Sequence, residues 1–393
     1  MTIDNRKQAH TPMEKVFSMQ RGTGENSYAK NSNPQQFLVK NIIAPELLQA
    51  LDKVTLPDDG QPVVIADLGC STGWNTINNM NLIVDHLKER LATAADSNSG
   101  SSNKTTEFHV FFNDLPSNDF NHLFQLLNEN RDSLDYFAAG VSGSFYGRLF
   151  PRSSVHVFFS SHCLHYISKI PDAVLDKNSP AFNKGDMWLV NERNEVGAAY
   201  KEQADLDLKR FLRARAEEMT PGGLLFMLFS GRGDSNPARQ WPENSFKREV
   251  WKCMNESWDC MVTQGHITED QRDSFNVPLY SRSIEEVQEA IESCSSAFRI
   301  EKMIVQQMRG TKPSEIFPNT PTSDLLKRKV SFMKSLHNPL VEAHIGTELA
   351  RLYWEYVEIR MSVNKIDDLM LTLESNPNYK QHNVINTAIL MRL

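Results

Sequence analysis

The chain has no apolar run near the roughly 18 residues needed to cross a membrane. Its longest runs, around 155–159 and 224–229, are strand-sized. Residues 1–20 carry no apolar stretch of the signal-peptide kind. Cysteine is scarce: five residues, at 70, 163, 253, 260 and 294, an odd number with no CxxC pair. That excludes a disulfide framework and a cysteine zinc site, and points to a reduced, cytoplasmic compartment. Positive charge is in deficit, 42 Lys and Arg against 49 Asp and Glu, for a net charge of −7. A nucleic-acid binder normally carries the opposite balance. Glycine and proline, 18 of each, are too few for a fibrous or linker-like chain. What is present is ordinary globular composition, 40% hydrophobic and 23% charged. The 393 residues are enough for two or three domains or one enlarged domain.

Strand and helix signals alternate from residue 37 onward. Residues 37–54 read as a helix with Leu38, Ile42, Leu47 and Leu51 at helical spacing. Residues 63–66 (VVIA) are a short β-branched run ending in Asp67-Leu68-Gly69, and a helix over 75–91 follows. Residues 92–106 are small and polar and read as a surface loop. Strands are expected at 108–112, 155–159 and 224–229, with helices near 119–127 and closing at 211–219. Continuous apolar strands separated by long connections predict a doubly wound α/β sheet. Beyond Arg232 the texture becomes helical and rich in Trp, Tyr and Met, interrupted by strand candidates at 298–306 and 385–392. The domain reading follows. Residues 1–36 form an N-terminal segment; 37–235 with 296–308 and 384–393 form a Rossmann-like core; 236–295 and 309–383 form a helical cap over the carboxyl edge, where such sheets bind ligands.

Four motifs carry chemistry. Asp67-Leu68-Gly69-Cys70-Ser71-Thr72-Gly73 is a tight strand-to-helix turn without the full GxGxxG that a dinucleotide pyrophosphate uses. Asp114 closes the second strand, where an acid grips ribose hydroxyls; a surface helix cap is the competing reading. Together the two acids favour a methionine-linked adenosine over a dinucleotide. Phe145 and Tyr146 in SGSFYGRLFP are either purine-stacking or core aromatics. His162, Cys163, His165 and Tyr166 follow the 155–159 strand. Two histidines three apart lack the further ligands zinc requires, so a pocket wall is the better reading.

At this point several motifs, in order, resemble one family: MQRG leading to SYAKNS (27–32), IADLGCSTG, FFNDLPSNDFN, GSFYGRLFP and DSFNVPLY. The chain resembles the plant SABATH methyltransferases (salicylic acid, benzoic acid, theobromine) over essentially its whole length. The resemblance implies a class I methyltransferase core using S-adenosylmethionine, with Tyr28, Asp67, Cys70, Asn75, Asp114, Leu115, Ser144 and Phe145 as cofactor contacts. It implies that Gln35 holds a substrate carboxylate beneath the N-terminal segment. His162, Cys163, His165, Tyr166, Trp251 and, more loosely, Tyr353 would wall the pocket. Some members carry magnesium, and that pattern falls on Asn183, Asp273, Phe275 and Asn276; a purely structural loop is the equal alternative. A homodimer is also implied. Three positions depart from the family pattern: Trp74, Ser142 and Tyr166, the last standing where an indole usually helps to hold the carboxylate.

A carboxylate is ionised at neutral pH and is its own nucleophile. The expected reaction, esterification of a small acid of benzoate, salicylate or cinnamate type, therefore needs orientation by Gln35 and Tyr166 and no general base. Jasmonate, indole-acetate, a terpenoid acid and a xanthine nitrogen are alternative acceptors. A nicotinamide oxidoreductase and a cofactor-binding protein without turnover are the alternatives of other classes.

Overall fold

Val63, Ile65 and their neighbours form β1 (Val63–Leu68), buried almost throughout, as a β-branched run with no polar face must be. The computed structural model describes residues 18–57, 60–97, 106–242, 245–308, 312–317, 320–375 and 383–393. In chain order, β2 is Phe108–Asp114, β3 Phe137–Ser142, β4 Val155–Ser161, β5 Met219–Gly231, β6 Phe298–Met308 and β7 Asn383–Arg392. They form one sheet in the order β3-β2-β1-β4-β5-β7-β6. β1 to β5 are parallel, and β7 runs antiparallel between β5 and β6. The chain reverses its direction of winding at β1, flanked by β2 and β4. The carboxyl ends of those strands are therefore the expected binding crevice.

The sheet is covered on both faces. Val63 and Ile65 pack with the Ala44–Leu51 and Trp74–Ser97 helices, while Ala66, Leu68 and Phe158 pack with Leu208 and Phe211 of the Asn194–Glu218 helix. Alternate residues of β1 thus feed opposite cores, as the two-residue repeat of a strand requires. A third core lies beyond the strand ends. It joins the helices Phe246–Thr263, Leu325–Ile345 and Thr347–Val363 to residues 167–204 of the β4–β5 connection. So the helical layer also draws on a segment between β4 and β5, while the Ile284–Glu292 helix packs on the sheet through Val287, Ala290 and Ile291.

Several expected elements differ in detail. The 37–54 helix is broken: Asn33–Leu38 and Ala44–Leu51 are separated by a widened turn at Val39–Ile43. Pro45 lacks the N–H that would continue the ladder, so a new helix starts there. The helix after β1 extends to Ser97, into the stretch read as loop; residues 98–105 of that stretch lie outside the described residues. β3 was not anticipated, because its sequence FAAGVS has little β-branching and it forms a mostly exposed edge. β5 begins at Met219, so Pro221-Gly222-Gly223 lies within the strand and not before it.

Candidate active site

The crevice begins with two acids. Asp67, at the end of β1, is 3% exposed and accepts from the Thr76 hydroxyl. Asp114, at the end of β2, accepts from the Ser71 amide at 2.6 Å and the Leu115 amide at 2.7 Å. Burial pushes both carboxyls up, Asp67 to about 7 with a further push from Asp114, and Asp114 to about 6. Between them the turn passes close to the next strand. Gly69 has φ +80, and a Cβ there would lie 2.7 Å from Cys163 Cβ and Sγ, so no side chain fits. His162, just past β4, also takes a left-handed conformation (φ 57) while its amide donates to Leu228 O at 2.7 Å. Such strain in a non-glycine residue costs on the order of 1–3 kcal/mol and gathers at functional sites.

The polar N-terminal segment folds over this crevice. Ser27 caps the short Tyr28–Asn31 helix, and Asn31 donates to the carbonyls of Glu25 and Ser27 at 2.7 and 2.8 Å. Asn75 donates to Ser32 O at 2.8 Å, fastening the segment to the helix after β1. Gln20 bonds to Ser335 O at 2.9 Å and accepts from Asn338 at 2.9 Å, so the cap helix Leu325–Ile345 holds it from the other side. The GSFYGRLFP segment is fixed from below by the buried pair Arg215–Glu218. The guanidinium donates to Phe145 O and Gly147 O at 2.9 and 3.0 Å, and Glu218 accepts from the Phe150 amide at 3.0 Å.

Two connected lobes result. The smaller, about 90 Å³, is lined by Tyr28, Gly69, Ser71, Asp114, Leu115, Ser144, Phe145, Cys163 and Ser168, among others. The larger, about 260 Å³, is lined by Gln35, His165, Trp188, Trp241, Trp251 and residues of the cap helices. Met19, Tyr28, His162 and Tyr166 line both. Three indoles form one wall: Trp188 lies 4.5 Å from Trp241 and 4.7 Å from Trp251, centroid to centroid. Burial drives His162 down to about 4 and His337 to about 3, and holds His165 well below its usual range, so all three are neutral imidazoles at pH 7.

Of the residues expected at the cofactor, Tyr28, Asp114, Leu115, Ser144 and Phe145 line the smaller lobe. Asp67, Cys70 and Asn75 are held behind it, Asp67 against Thr76 and Asn75 against the N-terminal segment. Of the expected substrate wall, Gln35, His162, His165, Tyr166 and Trp251 line the larger lobe, and Cys163 lines the smaller one. Tyr353 reaches neither. Fully buried, it packs on Trp258 at 4.8 Å and donates to Met254 O at 3.2 Å, inside the cap core. Sequence reasoning missed Lys247, Lys329 and His337. The signal was present: Lys329, Phe332, Met333, Leu336 and His337 fall at i, i+3, i+4, i+7 and i+8, one stripe of one helix.

The four magnesium candidates do gather, and several of their polar atoms are already engaged. Asn183 Nδ2 donates to Asp186 O, Trp188 O and Asn276 Oδ1 at 2.9, 3.0 and 2.8 Å. Asp273 Oδ1 accepts from the Gly185 amide and from Arg272, both at 2.9 Å. Its charge is thus met by a guanidinium, and the neighbouring amide presents a donor where a cation needs acceptors. The Phe275 side chain packs into the cap core, its ring 4.6 Å from Trp258, while its expected role as a ligand would fall to its carbonyl. Among the described residues no group of three or more His, Cys, Asp or Glu side chains could hold a metal. The cluster fits a loop clasp and does not fit magnesium.

The smaller lobe does fit a cationic adenosine ligand. It offers the Asp114 carboxylate, the Phe145 ring and the buried Ser71 hydroxyl, which has no hydrogen-bond partner among the described residues, and no described Lys or Arg lines it. A doubly wound sheet with such a crevice at its reversal point is the core of a class I S-adenosylmethionine-dependent methyltransferase. The family model for SAM-dependent carboxyl methyltransferases matches residues 14–378, and the chain belongs to that family, the SABATH enzymes. It is 39% identical to gibberellic acid methyltransferase 2 of Arabidopsis thaliana, over 90% of this chain and 91% of that protein. It is 34% identical to indole-3-acetate O-methyltransferase 1 of the same plant, over 93% and 95%. A solved structure of loganic acid methyltransferase with SAH superposes with a TM-score of 0.80 at 30% identity, covering 95% of this chain and 98% of that one. The chain is an S-adenosylmethionine-dependent carboxyl methyltransferase.

Proposed function

We propose that the enzyme esterifies a bulky, ring-bearing acid of terpenoid or indole type, in place of the benzoate-type acid first expected. The observation that carries this is the 260 Å³ lobe walled by Trp188, Trp241 and Trp251. The names of the two relatives, which give gibberellic acid and indole-3-acetate as their substrates, support it.

S-adenosylmethionine supplies an electrophilic methyl on a positively charged sulfur. The Asp114 carboxylate, the Ser71 and Ser144 hydroxyls and the Phe145 ring would hold it in the smaller lobe, with Asp67 behind them adding negative charge. Gln35 would hold the substrate carboxylate by donating from its side-chain amide N–H; it lines the larger lobe beside His162, whose Nε2 is buried with no partner among the described residues. Tyr166, which lines both lobes, would set the direction of approach. One carboxylate oxygen forms the new bond to carbon, the carbon–sulfur electron pair leaves with sulfur, and no proton moves. Tyr28 and the folded N-terminal segment exclude water, and orientation of this kind is worth roughly 7–11 kcal/mol in favourable cases.

Labelled S-adenosylmethionine should yield an extractable ester with gibberellic acid, indole-3-acetate or a related polycyclic acid, and far less with benzoate or salicylate. Preference for the benzoate group would overturn the substrate assignment, and a base-stable product would point to nitrogen. On the family resemblance we also propose a cytoplasmic homodimer; light scattering at micromolar protein that returns a mass near 45 kDa refutes the dimer. No helix among the described residues is long and apolar enough to cross a membrane.

A further inference from the structure

The larger lobe contains charge that the reaction does not use. Lys247, in the first turn of the Phe246–Thr263 helix, and Lys329, in the second turn of the Leu325–Ile345 helix, both line it. The Lys247 ammonium lies close enough to lower Lys329, and Lys329 in turn bears on His337. Lys329 Nζ sits over the rings of Phe246 and Phe332, at 5.3 and 4.9 Å from their centroids. Among the described residues neither lysine has a carboxylate partner. The neighbouring acids are taken, Glu249 by Lys252 at 2.9 Å and Glu192 by Arg248 at 2.7 Å. Among the described residues no Asp or Glu lines the lobe. Beside them His337, 2% exposed, has an Nδ1 with no hydrogen-bond partner. Lys247 stands at a helix N-terminus, where the backbone dipole favours an anion and opposes a cation. Burial holds Lys247 down to about 8 and Lys329 to about 7.

Partly buried lysines without carboxylate partners are costly to keep, and a bound anion removes the cost. The reacting carboxylate is a poor candidate for that anion, because an ammonium ion against it would stabilise the nucleophile more than the transition state, in which its charge is vanishing. None of the three residues lines the smaller lobe, whereas Tyr166 lines both and Gln35, which can donate from its amide N–H, lines the larger.

We propose that Lys247, Lys329 and His337 form a second anion-binding subsite, and that the preferred substrate is a dicarboxylic acid esterified only at the carboxylate held by Gln35 and Tyr166. The proposal rests on the reading of the larger lobe as the acid site. In the transfer the second carboxylate stays ionised in the subsite and the product is a monoester.

The test compares matched acids under saturating S-adenosylmethionine: naphthalene-2,6-dicarboxylate against naphthalene-2-carboxylate, and trans-cyclohexane-1,4-dicarboxylate against cyclohexanecarboxylate. Gibberellic acid and indole-3-acetate serve as reference substrates. The wild-type enzyme should favour a diacid over its monoacid by about tenfold to a hundredfold in kcat/KM, the range of a charge-assisted hydrogen bond. Lys329→Met and Lys247→Met should each lower that ratio about tenfold, chiefly through KM, and Lys329→Arg should restore part of it. S-adenosylhomocysteine titration shows that each variant is folded. A wild-type ratio at or below one, or a ratio unmoved by both variants, overturns the proposal. So does ester from a reference acid but from no diacid, which spares the reading of the pocket. No ester from any acid fails that reading as well.

Discussion

The two lobes of the cleft share Met19, Tyr28, His162 and Tyr166, yet they differ in sign. Among the described residues the smaller is lined by Asp114, backed by Asp67, with no Lys or Arg, and the larger by two lysines and no acid. Burial makes each charge more consequential, since fields are screened less away from water. The molecule thus sorts a cationic methyl donor from an anionic acceptor before either is positioned. Both lobes open on the same four shared residues, where the two reactants must meet.

Asp114→Asn strikes this division hardest. It removes the charge and one of two amide-bonded oxygens, so affinity for S-adenosylmethionine should fall roughly a hundredfold or more; titration calorimetry that finds it unchanged breaks the assignment of the smaller lobe. Gln35→Ala acts on the other side. The specificity constant for the acid should fall about tenfold to a hundredfold, with S-adenosylhomocysteine affinity within about twofold of wild type; a loss shared equally by both ligands would show that Gln35 supports the fold and not the substrate. Gly69→Ala presses on the floor shared with Cys163. Overpacking and a left-handed non-glycine residue together should cost roughly 1–3 kcal/mol, seen as a melting temperature lower by a few degrees; no change in melting would mean that the Cys163 side chain yields freely.

The smallest effect is on stability. Lys329 faces Lys247 and His337, and its folded-state value of about 7 lies below the unfolded value near 10.5. Between those limits the unfolded chain binds more protons, so the lysine makes stability rise with pH from about 7 to 10.5, and its penalty is fully present below 7. Lys329→Met should therefore raise the melting temperature at pH 6.5 by more than at pH 10. An equal gain at both pH values would show that the lysine is ion-paired in solution. Stabilisation on removal, with loss of diacid preference, is the trade expected of a ligand-binding residue.

Much of the fold was legible. β1, β2, β4 and the core of β5 are apolar runs with one structural solution, and Asp67-Leu68-Gly69 and Asp114 mark their carboxyl ends. The N-terminal segment was legible as site material only through the resemblance, since its composition alone is that of a solvated tail. β3 was hidden because Ala138, Ala139 and Gly140 carry no β signal and an edge needs little. Lys247 and Lys329 were hidden for the opposite reason: a lysine on a cap helix looks like solvated surface until a second helix closes over it. Asp207, Arg215 and Glu218, all fully buried, blurred the apolar stripe of the Asn194–Glu218 helix, so its start went unread.

The placing of β7 has a consequence for how this protein is made. β5 and β6 emerge from the ribosome well before the strand that joins them, and 74 residues (309–382) separate the end of β6 from the start of β7. At about 5–20 residues per second that interval is on the order of ten seconds. Throughout it β5 offers a long apolar edge with no partner, the kind of edge that recruits other chains. Nascent copies are therefore most exposed to association at that stage, and the cap helices Leu325–Ile345 and Thr347–Val363, made in the same interval, must fold before the sheet is complete.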